Sequence, residues 1–137
     1  MKTIHTYLNF DGNAREAMTF YQKCLGADLR IQTFKDAKRD APRGAEDRVM
    51  HAHLQKGSSI LMGSDVMPGM PFRQGSNFSV MVECENAAEI ERLFKAFSEG
   101  GKVTMPLADQ FWGARFGMIT DRFGVSWMFN CELPRKA

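Results

Sequence analysis

The chain carries three histidines, His5, His51 and His53. Imidazole both titrates near neutral pH and ligates borderline divalent metals, so these residues are the first place to look for chemistry. His51 and His53 are two apart in Met50-His-Ala-His-Leu54, so on a strand they share one face while Met50, Ala52 and Leu54 take the other. The same alternation puts His5 with Thr3, Tyr7 and Asn9, and Ile4, Leu8 and Phe10 opposite. Three imidazoles on one concave surface could bind zinc; the same three also serve as ordinary hydrogen-bonding groups in a half-wet pocket. Further along, Phe111 and Trp112 precede Gly113, which suits an aromatic lid, and Arg115 offers a guanidinium to a carboxylate or phosphonate. Asp109 and Gln110 are candidates for a pocket rim or for loop hydrogen bonds. Cys24, Cys84 and Cys131 stand in no nucleophile motif and suit reduced, buried thiols of a cytoplasmic protein.

The elements that position these groups come in two copies. Tyr7–Phe34 and Val80–Leu107 each spell strand, polar turn, helix, glycine, strand. Asn13 and Asn86 fall at matching helix starts, with Glu16 and Glu89 three residues on in capping-box spacing. Apolar stripes follow: Ala14, Ala17, Met18, Tyr21, Cys24 and Leu25 in the first helix; Ile90, Leu93, Phe94 and Phe97 in the second. Gly26 and Gly100-Gly101 end the helices. Strands are predicted at 28–34, 48–55 and 58–64 after the first helix, and at 102–108, 116–120 and 126–131 after the second. Each half is therefore β-α-β-β-β, which points to duplication of one unit. One helix covers one face of each sheet, and the other face must be covered by something else or form a concavity. Residues 35–47 are predicted to be a mobile, mixed-charge loop. Asp121-Arg-Phe-Gly124 is a turn, with Asp121 as its acceptor and Trp127 as a core ring.

The chain has 137 residues, 15.5 kDa, 44% hydrophobic and 25% charged residues, which is ordinary globular composition. A net charge of +2 gives little drive toward nucleic acid or an anionic membrane. No apolar run is long enough for a membrane helix, and the first residues lack the apolar core of a signal peptide.

The doubled unit resembles the vicinal-oxygen-chelate superfamily of glyoxalase I, bleomycin-resistance proteins and extradiol dioxygenases. Asp109-Gln-Phe-Trp-Gly-Ala-Arg115-Phe-Gly117, Asp121-Arg-Phe-Gly124 and Trp127, together with Tyr7–Asn13 and Met50–Leu54, are similar to its PhnB-type branch, the 3-demethylubiquinone methyltransferase-like domains. Arg122 stands where that branch usually has proline. The resemblance implies an α+β fold: two tandem βαβββ modules, 1–64 and 77–132, joined by a linker at 65–76. Together they would form one domain over 1–137, a curved eight-stranded mixed sheet cup with helices outside. It also implies a homodimer.

In the glyoxalase-like members four ligands on the first, fourth, fifth and eighth strands hold a divalent metal. Here the matching positions are His5, Met62, Asn77 or Phe78, and Met128. A thioether is a soft donor and suits a hard divalent ion poorly, so the usual metal site is expected to be degenerate. The family topology also puts the fourth strand between the first and third, about 9–10 Å apart at two strand spacings. Nothing in the sequence supplies a Gly-rich turn opening a helix after a strand, the usual nucleotide-cofactor cradle. The expectation is a binding protein for a small organic ligand of anionic character, lined by His5, Tyr7, His51, His53, Met62, Phe111, Trp112, Arg115 and Met128, with Met81 as a further liner. No cofactor is expected. The alternatives are a divalent-metal lyase or dioxygenase using His5 with His51 and His53, and a dimeric interaction protein.

Overall fold

The amphipathic stripes and turn residues produce the doubled unit. The computed structural model describes residues 1–134 and divides into two compact units, Met1–Arg73 and a second from Gln74 onward. The first contains β1 (Thr6–Phe10), α1 (Ala14–Leu25), β2 (Asp28–Thr33), β3 (Val49–Lys56) and β4 (Ser59–Asp65). The second contains β5 (Val80–Glu83), α2 (Ala87–Ser98), β6 (Lys102–Asp109), β7 (Ala114–Thr120) and β8 (Ser126–Glu132). The eight strands make two four-stranded sheets, ordered β1-β4-β3-β2 and β5-β8-β7-β6. In each sheet the first strand runs parallel to the last, and the other neighbours are antiparallel.

In the first unit α1 buries Ala14, Ala17, Met18, Tyr21 and Cys24, and the sheet buries Leu8, Phe10, Ala52, Leu54 and Leu61. Gly26 ends the helix in the left-handed conformation, φ 64°, and its N–H donates to the Gln22 carbonyl. The start of α1 departs from the expected capping box. The Asn13 side chain makes no cap hydrogen bond. Instead Asp65, at the end of β4, accepts from the N–H groups of Gly12 and Ala14, each at 2.9 Å, and from Val49 N–H at 2.9 Å. A carboxylate serves better there than an amide, because it also meets the positive end of the helix dipole. Asp65 is therefore a strand residue rather than the first residue of a linker. Ile4 is also a correction: it precedes β1 and is 84% exposed, outside the core. The charged segment 35–47 is tied down. Lys35 N–H donates to the Glu46 carbonyl, Thr33 and Asp36 exchange two hydrogen bonds, and Ala45 is buried.

In the second unit α2 starts as expected. Asn86 Oδ1 accepts from Glu89 N–H at 2.8 Å, and Glu89 reaches back to the N–H of Glu85 at 3.0 Å. Ile90, Leu93 and Phe97 are buried, with the Phe97 ring 4.6 Å from Trp127 and 5.3 Å from Phe129 between centroids. Gly117 lets the helix approach: a Cβ there would lie 2.6 Å from the Phe94 ring. Asp121 is buried and accepts from Phe123 N–H (2.8 Å), Val125 N–H (3.0 Å) and the Trp127 indole (2.8 Å).

Candidate functional site

Alternation along each strand sorts the side chains between a helix-bearing face and an open face. On the open face of the first sheet, the register lines up Tyr7, Met62, His53 and Arg30 on β1, β4, β3 and β2. The neighbouring row contains Asn9 opposite Ser64 and His51 opposite Gln32. β4 does separate β1 from β3, yet the two strands are joined by side chains: Tyr7 Oη lies 3.2 Å from His51 Nδ1. Their rings lie nearly parallel, with centroids 5.8 Å apart and planes at 29°. His53 stands beside His51, centroids 6.3 Å apart, and its Nε2 is 3.2 Å from Gln55 Oε1. A cavity of about 720 Å³ opens here, lined by Asp28, Arg30, Gln32, His51, His53 and Gln55 among others.

These groups are chemically suited to a polar ligand. The Tyr7–His51 pair can exchange a proton, since each partner both donates and accepts. His53 and Arg30 add a donor and a fixed positive charge on the same side. Arg30, Asp28 and Gln32 were not singled out from the sequence. The signal was present: they alternate with Leu29 and Ile31 in β2, where Asp28, Arg30 and Gln32 lie across from Gln55, His53 and His51.

The alternative arrangement, three imidazoles around one ion, is not assembled among the described residues. His5 Nε2 lies 2.9 Å from Thr3 Oγ1, His51 faces Tyr7, and His53 faces Gln55. Among the described residues no group of three or more His, Cys, Asp or Glu side chains converges to hold a metal. Imidazoles that share a sheet face do not make a site unless their rings aim at one point. Met62 and Met128 offer only thioethers, which suit a hard divalent ion poorly.

Arg115 is a strand residue rather than a loop residue. β7 begins at Ala114, and Arg115 pairs with Cys131 on the helix-bearing face, together with Gly117 and Ile119. There its guanidinium binds Asp109 at 2.7 Å and Glu91 of α2 at 3.1 Å. The hydrogen bond to Asp109 comes first in holding the Arg115 pKa above its usual value, and the same bond lowers that of Asp109. Two carboxylates already satisfy this cation, and strand parity turns it away from the open face.

The open face of the second sheet carries Met128 paired with both Met81 and Met118, and Met105 follows opposite Met118. Asn130 donates to Glu83 at 3.0 Å beside that row. Phe111 and Trp112 sit at the tip of the β6–β7 hairpin, 97% and 54% exposed, with ring centroids 5.1 Å apart. Trp112 also meets Phe116 edge-on at 6.1 Å. All three cysteines are buried thiols outside any disulfide. Burial, reinforced by the nearby Glu89, pushes the Cys84 thiol up to about 12.

Residues 2–129 match the family model described as 3-demethylubiquinone-9 3-methyltransferase. Protein YjdN of Escherichia coli K12 is 32% identical over 93% of both chains. A crystal structure of PA1353 from Pseudomonas aeruginosa is 44% identical with a TM-score of 0.88, covering 98% of this chain and 100% of that one. A PhnB protein from Bacillus cereus, titled a putative 3-demethylubiquinone-9 3-methyltransferase, is 29% identical with a TM-score of 0.74, covering 95% and 99%. The fold alone extends to a glyoxalase/bleomycin resistance protein/dioxygenase family enzyme from Burkholderia phytofirmans, at 14% identity and a TM-score of 0.65 over 93% and 98% of the two chains. With two βαβββ modules and these matches, the chain belongs to the 3-demethylubiquinone-9 3-methyltransferase-like family, with a PhnB protein among its relatives, and shares its fold with the glyoxalase/bleomycin resistance protein/dioxygenase enzymes.

Proposed function

We propose that this protein binds a small, polar organic ligand with an anionic group on the open face of its first module, without a divalent metal at the usual superfamily position. The observation that carries this reading is the hydrogen-bonded Tyr7–His51 pair standing beside His53 and Arg30. A guanidinium and two imidazoles can neutralise an anion, and Tyr7 and His51 can hand a proton to or from the bound molecule. Met62, in the same row, adapts its shape to an organic body. The methyl transfer in the family description is not adopted. The amide groups at the start of α1 are already occupied by Asp65, and no Gly-rich nucleotide cradle opens either helix. We also infer a homodimer in a reducing cytoplasm. Exposed Phe111 and Trp112, and three buried cysteines that are in no disulfide, support those two points.

The three histidines give three separable imidazole signals for NMR. Titration with benzoate, and with benzyl alcohol as its uncharged counterpart, tests the reading. The expected result is a saturable shift of the His51 and His53 signals with benzoate, weaker with the alcohol, and weakened at least tenfold in Arg30→Gln. Equal affinity for the alcohol, or saturation at His5 alone, would overturn it.

A further inference from the structure

The second sheet contains a feature that the proposed ligand face does not use. The chain has ten methionines, and the backbone register brings four of them into one row across all four strands: Met81 on β5, Met128 on β8, Met118 on β7 and Met105 on β6. Met81, Met128 and Met118 are paired without irregularity, whereas Met105 is flanked by register shifts on both sides. Directly paired residues on adjacent strands project to the same face. Trp127 and Phe129, the neighbours of Met128 in β8, are buried on the helix-bearing face, so the methionine row lies on the open one. Met81 is 47% exposed, and Met118 and Met128 are half-buried, so the row is partly sheltered and still open to solvent.

We propose that Met81, Met128 and Met118 form a binding site for a soft monovalent d¹⁰ cation, Cu(I) or its redox-inert mimic Ag(I). Neighbouring strands are roughly 4.8 Å apart, so the outer two Cα atoms stand about 10 Å from each other with Met128 between them. Methionine has three rotatable bonds and a long, unbranched stem, so the outer two sulfurs can lean inward until all three meet one ion over Met128. A neutral trio of thioethers is matched to a soft cation of low charge and mismatched to Zn, Mg or Mn, which prefer imidazole and carboxylate oxygen. The same property that makes Met128 a poor ligand for the usual superfamily metal makes it a good one here. The binding involves no redox step: the cation exchanges solvent ligands for three sulfur lone pairs.

The test uses the whole protein labelled at the methionine methyl groups, titrated with silver nitrate in chloride-free buffer and followed by NMR. The expected result is that the methyl signals of Met81, Met118 and Met128 shift together and saturate at one equivalent, while zinc leaves them unmoved. In the Met118→Leu/Met128→Leu double variant, which keeps volume and fold, the joint shift should disappear and the half-saturating silver concentration should rise at least tenfold. Bicinchoninate competition with Cu(I) under argon should show the same loss. Silver that moves no methionine signal, as when it goes only to the three cysteines, would overturn the proposal. So would shifts spread evenly over all ten methionines, or binding unchanged in the double variant. The silver experiment reads the second module, and the benzoate experiment reads the histidines of the first, so failure of one is distinct from failure of the other.

Discussion

In the first module a buried aspartate, Asp65, gathers three N–H donors at the end of β4; in the second, Asp121 does the same just after β7. Both carboxylates close the helix-bearing side of their unit, yet they hold different things. Asp65 links the helix start to β3, contacts far apart in the chain, whereas Asp121 pins a local turn and the Trp127 indole. The open faces differ more. The first carries a phenol, two imidazoles and a guanidinium, and the second a row of thioethers. The comparison teaches that the packed side is constrained by the geometry of one helix on one sheet. The open side carries no such constraint and can acquire hard, polar donors in one copy and soft, apolar ones in the other.

The largest expected effect tests the packed side. Asp65→Ala leaves the buried N–H groups of Ala14 and Val49, and the part-buried one of Gly12, without their acceptor, and should cost about 3–5 kcal/mol in urea unfolding. Asp65→Asn keeps one oxygen acceptor and should recover part of that loss. Asp121→Ala is expected to be as damaging, with Trp127 fluorescence reporting the change. A cost below about 1 kcal/mol for Asp65→Ala would mean that the helix start is held by something other than this carboxylate.

The close helix approach comes next. At Gly117 an added Cβ would meet the Phe94 ring at 2.6 Å and the Leu107 backbone at 3.1 Å. At Gly63 in the first module the nearest atoms are at 3.1 Å or more, two of them side chains that can yield. Gly117→Ala should therefore cost roughly 2–3 kcal/mol and Gly63→Ala about 1 kcal/mol. Equal costs would show that the two helices sit equally far from their sheets.

Much of the helix-bearing side was legible because it is written in local spacing. Asn86 and Glu89 are three residues apart and cap as read; Gly26 ends its helix; the alternation in Tyr7–Phe10 sorts correctly. Asp65 could not be read as the cap of α1, since it meets Ala14 across 51 positions, and sequence spacing carries no such information. The loop placement of Arg115 differs for a narrower reason. Taken as a loop residue, it was exempt from strand parity, but β7 starts one residue earlier and assigns it to the helix side. The histidines show the remaining limit. Alternation places His51 and His53 on one face, but only ring orientation decides whether they converge on an ion or, as here, turn to Tyr7 and Gln55.

A pH experiment sharpens the contrast from the second module. The Cys84 thiol, ordinarily near 9.0, is raised to about 12 by burial first and nearby carboxylates second. Between those values the unfolded chain loses this proton and the folded one keeps it. Stability is therefore complete below pH 9 and falls as pH rises toward 12, by about 1.4 kcal/mol per unit. Cys84→Ala should flatten that slope in urea unfolding series, whatever its effect at neutral pH. An unchanged slope would locate the alkaline sensitivity elsewhere.

The smallest effect is expected on the open face of the first module. Tyr7 is 41% exposed, so Tyr7→Phe exchanges its bond to His51 for solvent and should change stability by less than about 0.5 kcal/mol. The readout is the imidazole. With the phenol removed, His51 Nδ1 loses its partner, so its ¹⁵N shifts should move while those of His5, held by Thr3, stay put. Met81→Leu on the second face should leave all three imidazoles unchanged. A stability loss of several kcal/mol in Tyr7→Phe would make the pair a structural brace and remove its freedom to meet a ligand. A silent energy with a shifted His51 signal is the behaviour of a group whose hydrogen bond can be exchanged for one to a bound molecule.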